Sequence, residues 1–251
     1  MLIDIEEPQT SAPTANKAPT RLAEITPVPR KEAGCVLNSF NSWIAAGLVL
    51  LPIPVGLIGG FGGLGTAAYL FSRSPLAAGV CAIAGLACGI ASVFALISFQ
   101  QVLASRFLRW KASHSFVGRL DPLVRPDDPE AVFVDFLPRS HWGQNMLEPA
   151  TDIGFLKIDG SRRELVWEGD LRRYRIPFDA VTDCQIEDYV LGREQWEADK
   201  HFVTVLQVDT STGPREIPLS SRHLNFTPRR AAERRAQAHD LCSRILLALN
   251  G

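Results

Sequence analysis

Acidic residues are missing from Ala33 to Leu120, and from Ala33 to Ser105 the only charge of either sign is Arg73. A water-exposed domain needs charges on its surface, so this stretch is not an ordinary soluble domain. Lys and Arg are not in excess either: the chain carries 26 of them against 27 Asp and Glu. Acids outnumber bases after Leu120, which argues against a nucleic-acid binder. Cysteine is scarce and scattered. Cys35, Cys81, Cys88, Cys184 and Cys242 show no paired spacing, which fits a reducing compartment better than a disulfide framework. The opening Met1-Leu2-Ile3-Asp4-Ile5-Glu6-Glu7 is acidic where a secretory signal starts basic.

Catalytic signatures are also lacking. No GxSxG elbow, HExxH pair or CxxC pair occurs, and no two histidines stand at ligand spacing. Gly60-Phe61-Gly62-Gly63-Leu64-Gly65 matches the dinucleotide fingerprint GxGxxG. The ribose-binding acid needed about 20 positions on is missing, since none occurs before Asp121. Thr66 stands where a phosphate-cradling loop requires Lys. Inside an apolar run this glycine pattern reads as helix packing. Ser140-His141-Trp142 with Asp135 offers hydrolase residue types, but adjacency supplies neither a held nucleophile nor an oxyanion site. The expectation is no enzyme, no cofactor and no metal, with a His141-dependent hydrolase the weakest alternative.

What is present begins with two apolar stretches, Trp43–Phe71 and about Leu76–Leu103, joined by Ser72-Arg73-Ser74-Pro75. Each exceeds the ~20 residues that cross ~30 Å of hydrocarbon. They predict a transmembrane helical hairpin over 39–105. Trp43 suits an interfacial anchor, with Asn41 or Ser42 as cap. Pro52 and Pro54 should kink the first helix, while Ser74 and Pro75 start the second. Gly56 and Gly60 in the first span and Gly85 and Gly89 in the second let backbones approach closely. They serve packing within the hairpin or homo-oligomer contacts. Arg30 and Lys31 precede the spans and Arg106, Arg109, Lys111 and Arg119 follow them, against Arg73 alone in the loop. That asymmetry places both termini in the cytoplasm. Residues 1–38, dotted with Pro8, Pro13, Pro19, Pro27 and Pro29, read as a disordered tail, and 106–130 as a juxtamembrane linker.

From 131 to 251 the texture changes to short β-like runs between turn pairs. These are Ala131–Leu137, Ile153–Ile158, Glu164–Trp167, Arg172–Phe178, Val181–Tyr189, Phe202–Asp209 and Arg215–Leu219. Asp159-Gly160 is a hairpin signal because such pairs accept positive φ. Tyr174, Ile176 and Phe178 alternate with Arg173, Arg175 and Pro177, the period of a half-buried strand. A final helix would be capped by Thr227, with Pro228 in its first turn and Ala238, Leu241, Cys242, Ile245 and Leu249 on one stripe. The fold class is therefore α+β with a membrane part: a two-helix hairpin, then a small antiparallel β sandwich or barrel and an amphipathic C-terminal helix. Gly154-Phe155-Leu156-Lys157-Ile158 to Trp167-Glu168-Gly169, then Tyr174-Arg175-Ile176-Pro177-Phe178-Asp179-Ala180-Val181, resembles a pleckstrin-homology-like or GRAM-like module over residues 131–249. Ile176-Pro177 and Val181 occupy the places leading into the fifth strand of that family. The resemblance implies a platform for phosphoinositides, lipids or protein segments.

The candidate site is the cluster Arg162, Arg163, Arg172, Arg173 and Arg175, with Lys157 nearby. Arginine forks grip phosphate oxygens, so an anionic headgroup is one reading. Asp159, Glu164, Glu168 and Asp170 are interleaved in the same hairpins, so cross-strand ion pairs are the other. A second basic cluster is Arg229, Arg230, Arg234 and Arg235. The expected function is non-catalytic, with membrane lipids, a protein partner or a second copy as partners. A channel or transporter subunit with a regulatory domain is the alternative.

Overall fold

The computed structural model describes residues 21–142, 150–190, 200–222, 224 and 231–251, and for 95–101 the backbone alone. Among these, helix α1 spans Ser39–Leu50, α2 Pro52–Phe71 and α3 Pro75–Val117. Asn38 caps α1 by accepting from the Asn41 amide at 2.8 Å. The cap thus lies one turn before the expected Asn41 or Ser42. Asn41 is instead buried, and its side-chain amide donates to the Cys35 and Val36 carbonyls. At the expected proline kink the helix is divided at Leu51, whose backbone stays in the helical region, and Pro52 opens α2. Ser74 caps α3 through the Ala77 amide, and Pro75 takes its first turn.

Two helical segments, Pro52–Phe71 and Pro75–Phe94, are long and apolar enough to cross a membrane. They are not core helices, since only 6% and 11% of their apolar windows are buried. Ile58, Phe61, Ile83 and Phe94 face outward. Their mutual contact is close backbone approach at glycines, with Val93 packed on Gly56. A Cβ on Gly63 would lie 2.6 Å from the Gly85 Cα, and one on Gly59 3.2 Å from the Gly89 Cα. Gly89 in turn sits over the Gly56 carbonyl and the Gly60 amide.

The helix α3 does not stop where the apolar run ends. Residues 106–117, expected in a linker, are its last three turns. Leu108, Ala112 and Phe116 recur at one face and bury completely, and that burial holds the segment helical.

The sheet has eight antiparallel strands: β1 Glu24–Pro27, β2 Val132–Phe136, β3 Asp152–Asp159, β4 Glu164–Gly169, β5 Arg172–Pro177, β6 Val181–Val190, β7 Lys200–Thr210 and β8 Gly213–Ser221. Their order is β1-β5-β4-β3-β2-β8-β7-β6. The sheet is not closed, but Ala23 donates its amide to the Asp209 carbonyl and links the two halves at one corner. All seven expected strands are present. The eighth, β1, lies in the expected disordered tail and pairs with the outer edge of β5, Ile25 facing Tyr174 and Pro27 facing Arg172. A proline is tolerated there because β1 is an edge strand. Residues 1–20 of that tail lie outside the described residues.

Over β2–β4 both faces of the sheet are covered. The inner face packs Leu156, Trp167, Tyr174, Ile176, Leu206 and Ile217 against Leu241, Cys242 and Ile245 of the terminal helix α4, Ala231–Asn250. The expected cap Thr227 and first-turn Pro228 lie outside the described residues. The outer face packs Phe133, Ile153, Phe155 and Val166 against Leu108, Ala112 and Phe116 of α3 and Val36 before α1. This second core is why Ile153 and Phe155 are buried as fully as Leu156, which points to the opposite face.

The β3–β4 turn departs from the Asp-Gly expectation. It is Arg163, at φ 52°, that takes the left-handed conformation, while the Asp159 carboxylate accepts from the Ser161 and Arg162 amides.

Candidate functional site

Among the described residues, a dense polar arrangement sits where α3 ends and β4 turns into β5. Gly118 terminates α3, and the next residue, Arg119, turns into the protein with its side chain 1% exposed. Its guanidinium lies 3.7 Å from the centre of the Phe116 ring. Nη1 donates to Glu168 Oε1 and to the Gly169 carbonyl, each at 2.6 Å. Nη2 donates to the Glu32 and Asp170 carbonyls and stands 3.6 Å from Asp170 Oδ1. Glu168 also accepts from Arg173 Nε at 2.9 Å and from the Leu123 amide at 2.8 Å.

Asp170 completes the junction from the other direction. Its carboxylate accepts from three successive amides, Cys35, Val36 and Leu37, at 2.9–3.1 Å. Asp152 does the same one strand away, accepting from Ile153, Leu171 and Arg172. Gly169 permits this approach, because a Cβ there would meet Asp152 Oδ2 at 2.8 Å. One cluster therefore ties the segment before α1, the end of α3 and the β4–β5 turn together. Burial pushes the Asp152 carboxyl up to about 6, against the opposing pull of its amide donors, with the Asp170 charge adding to the rise. Burial also raises Asp170, opposed by the amides of 35–37 and by Arg119.

The five candidate arginines are not gathered on one rim. Arg173 belongs to the buried junction, bound to Glu168 and 3.6 Å from Glu32. Arg163 lies over the Phe178 ring. Arg172 is exposed at the start of β5, with its backbone amide on Asp152. Only Arg162 and Arg175 share a surface. They line a groove of about 460 Å3 with Arg125, Lys157, Asp128 and Glu164. Arg175 pairs with Glu164 at 3.0 Å, and Lys157 with Asp128 at 2.6 Å. The Lys157 ammonium holds the Asp128 carboxyl below its usual range. Lys157, Arg162 and Arg175 in the groove thus already have carboxylate partners.

The other residues singled out fall apart as well. Asp135 is held by Arg222 Nε at 2.6 Å, while Ser140 and His141 lie in a 3-10 turn, Arg139–His141. Arg139 pairs there with Glu187 and Glu216. Trp142 stacks on Tyr189, and Tyr189 on His201. Of the second basic cluster, Arg229 and Arg230 lie outside the described residues. Arg234 is buried, with Nε on the Lys200 carbonyl, and Arg235 lines a surface depression beside His239. The four packing glycines, Gly56, Gly60, Gly85 and Gly89, all lie in the α2–α3 contact, joined by Gly59 and Gly63.

Sequence reasoning missed Arg119, Glu168 and Asp170 as a unit. Glu168-Gly169-Asp170 has the composition of a solvated turn, and Arg119 that of a topological charge. The available signal was the apolar spacing Leu108, Ala112, Phe116, which aims the chain after α3 at the sheet. No family model, curated protein or solved structure matches this chain.

Proposed function

We propose that this chain is a non-catalytic, two-span membrane protein. In this reading it presents a pleckstrin-homology-like domain on the cytoplasmic side, for a partner protein or for anionic lipid headgroups. The observation that carries it is the outward apolar surface of the two spans, joined without a flexible linker to an eight-stranded sheet. The sheet order β5-β4-β3-β2-β8-β7-β6 with a helix across the inner face supports the pleckstrin-homology-like reading. So does the retention of Ile176-Pro177 at the end of β5. Between the two ligand classes, the ion pairs of Arg173, Arg175 and Lys157 favour a protein partner, because a headgroup would have to displace their carboxylates.

The test uses the full chain, since Arg119 and α3 are part of the domain core. A Cys35→Ser, Cys81→Ser, Cys88→Ser background with Arg73→Cys, in sealed right-side-out cells, should label with an impermeant thiol reagent from outside. Labelling from the cytoplasmic face alone would overturn the orientation. Reconstituted vesicles should show no ion flux above protein-free vesicles; a flux would favour the channel reading. Native mass spectrometry in mixed neutral and anionic lipid should show no anionic-lipid retention that Arg162→Ala with Arg175→Ala removes. Loss of such retention would move the assignment to headgroups.

A further inference from the structure

Two cysteines that are far apart in sequence meet in the inner core. Cys184 is on β6 and Cys242 is on α4, 58 positions later, and their Sγ atoms are 3.2 Å apart. The separation is about 1 Å more than a ~2.05 Å disulfide bond, so the two sulfurs already stand near bonding distance. Both belong to the inner core cluster, at 8% and 5% exposure. The surrounding contacts fix the pair face to face. Leu241 and Ile245 flank Cys242 in that core, and one turn earlier the Ala238 carbonyl accepts from the Thr204 hydroxyl of β7. Cys35, Cys81 and Cys88 are partly or fully exposed and lie elsewhere in the fold.

We propose that Cys184 and Cys242 are a disulfide-forming pair, a redox modification site that staples α4 to β6. The step is thiol–disulfide exchange with a small-molecule disulfide. One cysteine thiolate attacks the reagent, releasing one small thiol; the second thiolate then attacks the mixed disulfide and releases the other. Two S–H bonds and one S–S bond are lost, and one S–S bond and two small-molecule thiols form. The protein is oxidised by two electrons and the reagent is reduced by two. Burial pushes the Cys184 thiol up, so the exchange is slow and proceeds through transient opening of α4. A closed loop of this length constrains the unfolded chain strongly, so the oxidised form should be the more heat-resistant.

The experiment uses the full chain in detergent, carrying Cys35→Ser, Cys81→Ser and Cys88→Ser so that only this pair can react. After incubation with oxidised glutathione, the expected product has lost about 2 Da relative to the reduced chain. It should also resist alkylation after denaturation and melt several degrees higher until dithiothreitol is added. Adding Cys184→Ala to the same background should leave one glutathione adduct and abolish the melting shift. Two alkylatable thiols after prolonged oxidation, or an intermolecular disulfide in place of the internal one, would overturn the assignment.

Discussion

The helix α3 has two halves that pack by opposite rules. Its first half touches α2 through Gly85 and Gly89 and turns Ile83, Leu86, Ile90 and Phe94 outward. Its second half turns Leu108, Ala112 and Phe116 inward and Arg106, Arg109 and Trp110 outward. In water, large apolar side chains gain most by leaving solvent. In lipid, burial gains nothing of that kind, and helices associate by close backbone approach. One continuous helix thus carries the imprint of two solvents, and under the proposed membrane reading the change between them marks the interface.

The comparison breaks most severely at the charged junction. Arg119→Ala removes the cation shared by buried Glu168 and Asp170, leaving Glu168 to Arg173 and Asp170 to its amide donors, at an expected cost of about 3 kcal/mol. Chemical or thermal unfolding in detergent should show the β domain destabilised or absent while the hairpin stays helical. Unchanged unfolding would mean that the second half is held by apolar packing alone.

Next comes Asp152, with its carboxyl raised to about 6 against ~3.9 unfolded. The folded state holds that proton more tightly, so its contribution is full below about pH 4. It declines as pH rises to about 6, by up to ~2–3 kcal/mol. Asp152→Asn should flatten this decline in a pH series of melting curves, whatever it does to absolute stability.

On the hairpin side, Gly85→Leu drives a side chain into the Gly63 backbone and should cost about 1–3 kcal/mol of helix pairing. The hairpin's helical signal should melt earlier in detergent, with the β domain's melting unchanged. Coupled loss of both would contradict the separation of the two halves. At the small end, Arg162→Ala removes only exposed pairs at 3.8 and 4.0 Å and should change stability by less than about 1 kcal/mol.

Much of the fold was legible because it repeats. Seven strands announced themselves through alternation and turn pairs, and the hairpin through its missing charge. Four features were hidden for identifiable reasons. Strand β1 is four residues, Glu24-Ile25-Thr26-Pro27, whose strand character comes from the edge of β5 and from no propensity of its own. The last turns of α3 carry three surface cations that mask an inward Leu108–Ala112–Phe116 stripe. The Arg119 cluster assembles residues from three distant parts of the chain, so no local window contains it. The arginine candidates were chosen by proximity in sequence. Alternating strand faces and carboxylate partners separate them in space.

The position of β1 has a consequence for how the molecule is made. Glu24–Pro27 and Arg172–Pro177 are neighbours in the sheet, yet the whole hairpin is threaded between them in the chain. Topologically, the hairpin is an insertion within the β domain. The first strand must wait unpaired during synthesis until β5 exists, so β1 joins the sheet late and with a large loop-closure entropy. A hairpin whose two ends emerged in different compartments could never bring β1 to β5. Under the proposed membrane reading, the β1–β5 pairing therefore requires both ends of the hairpin to lie on the same side.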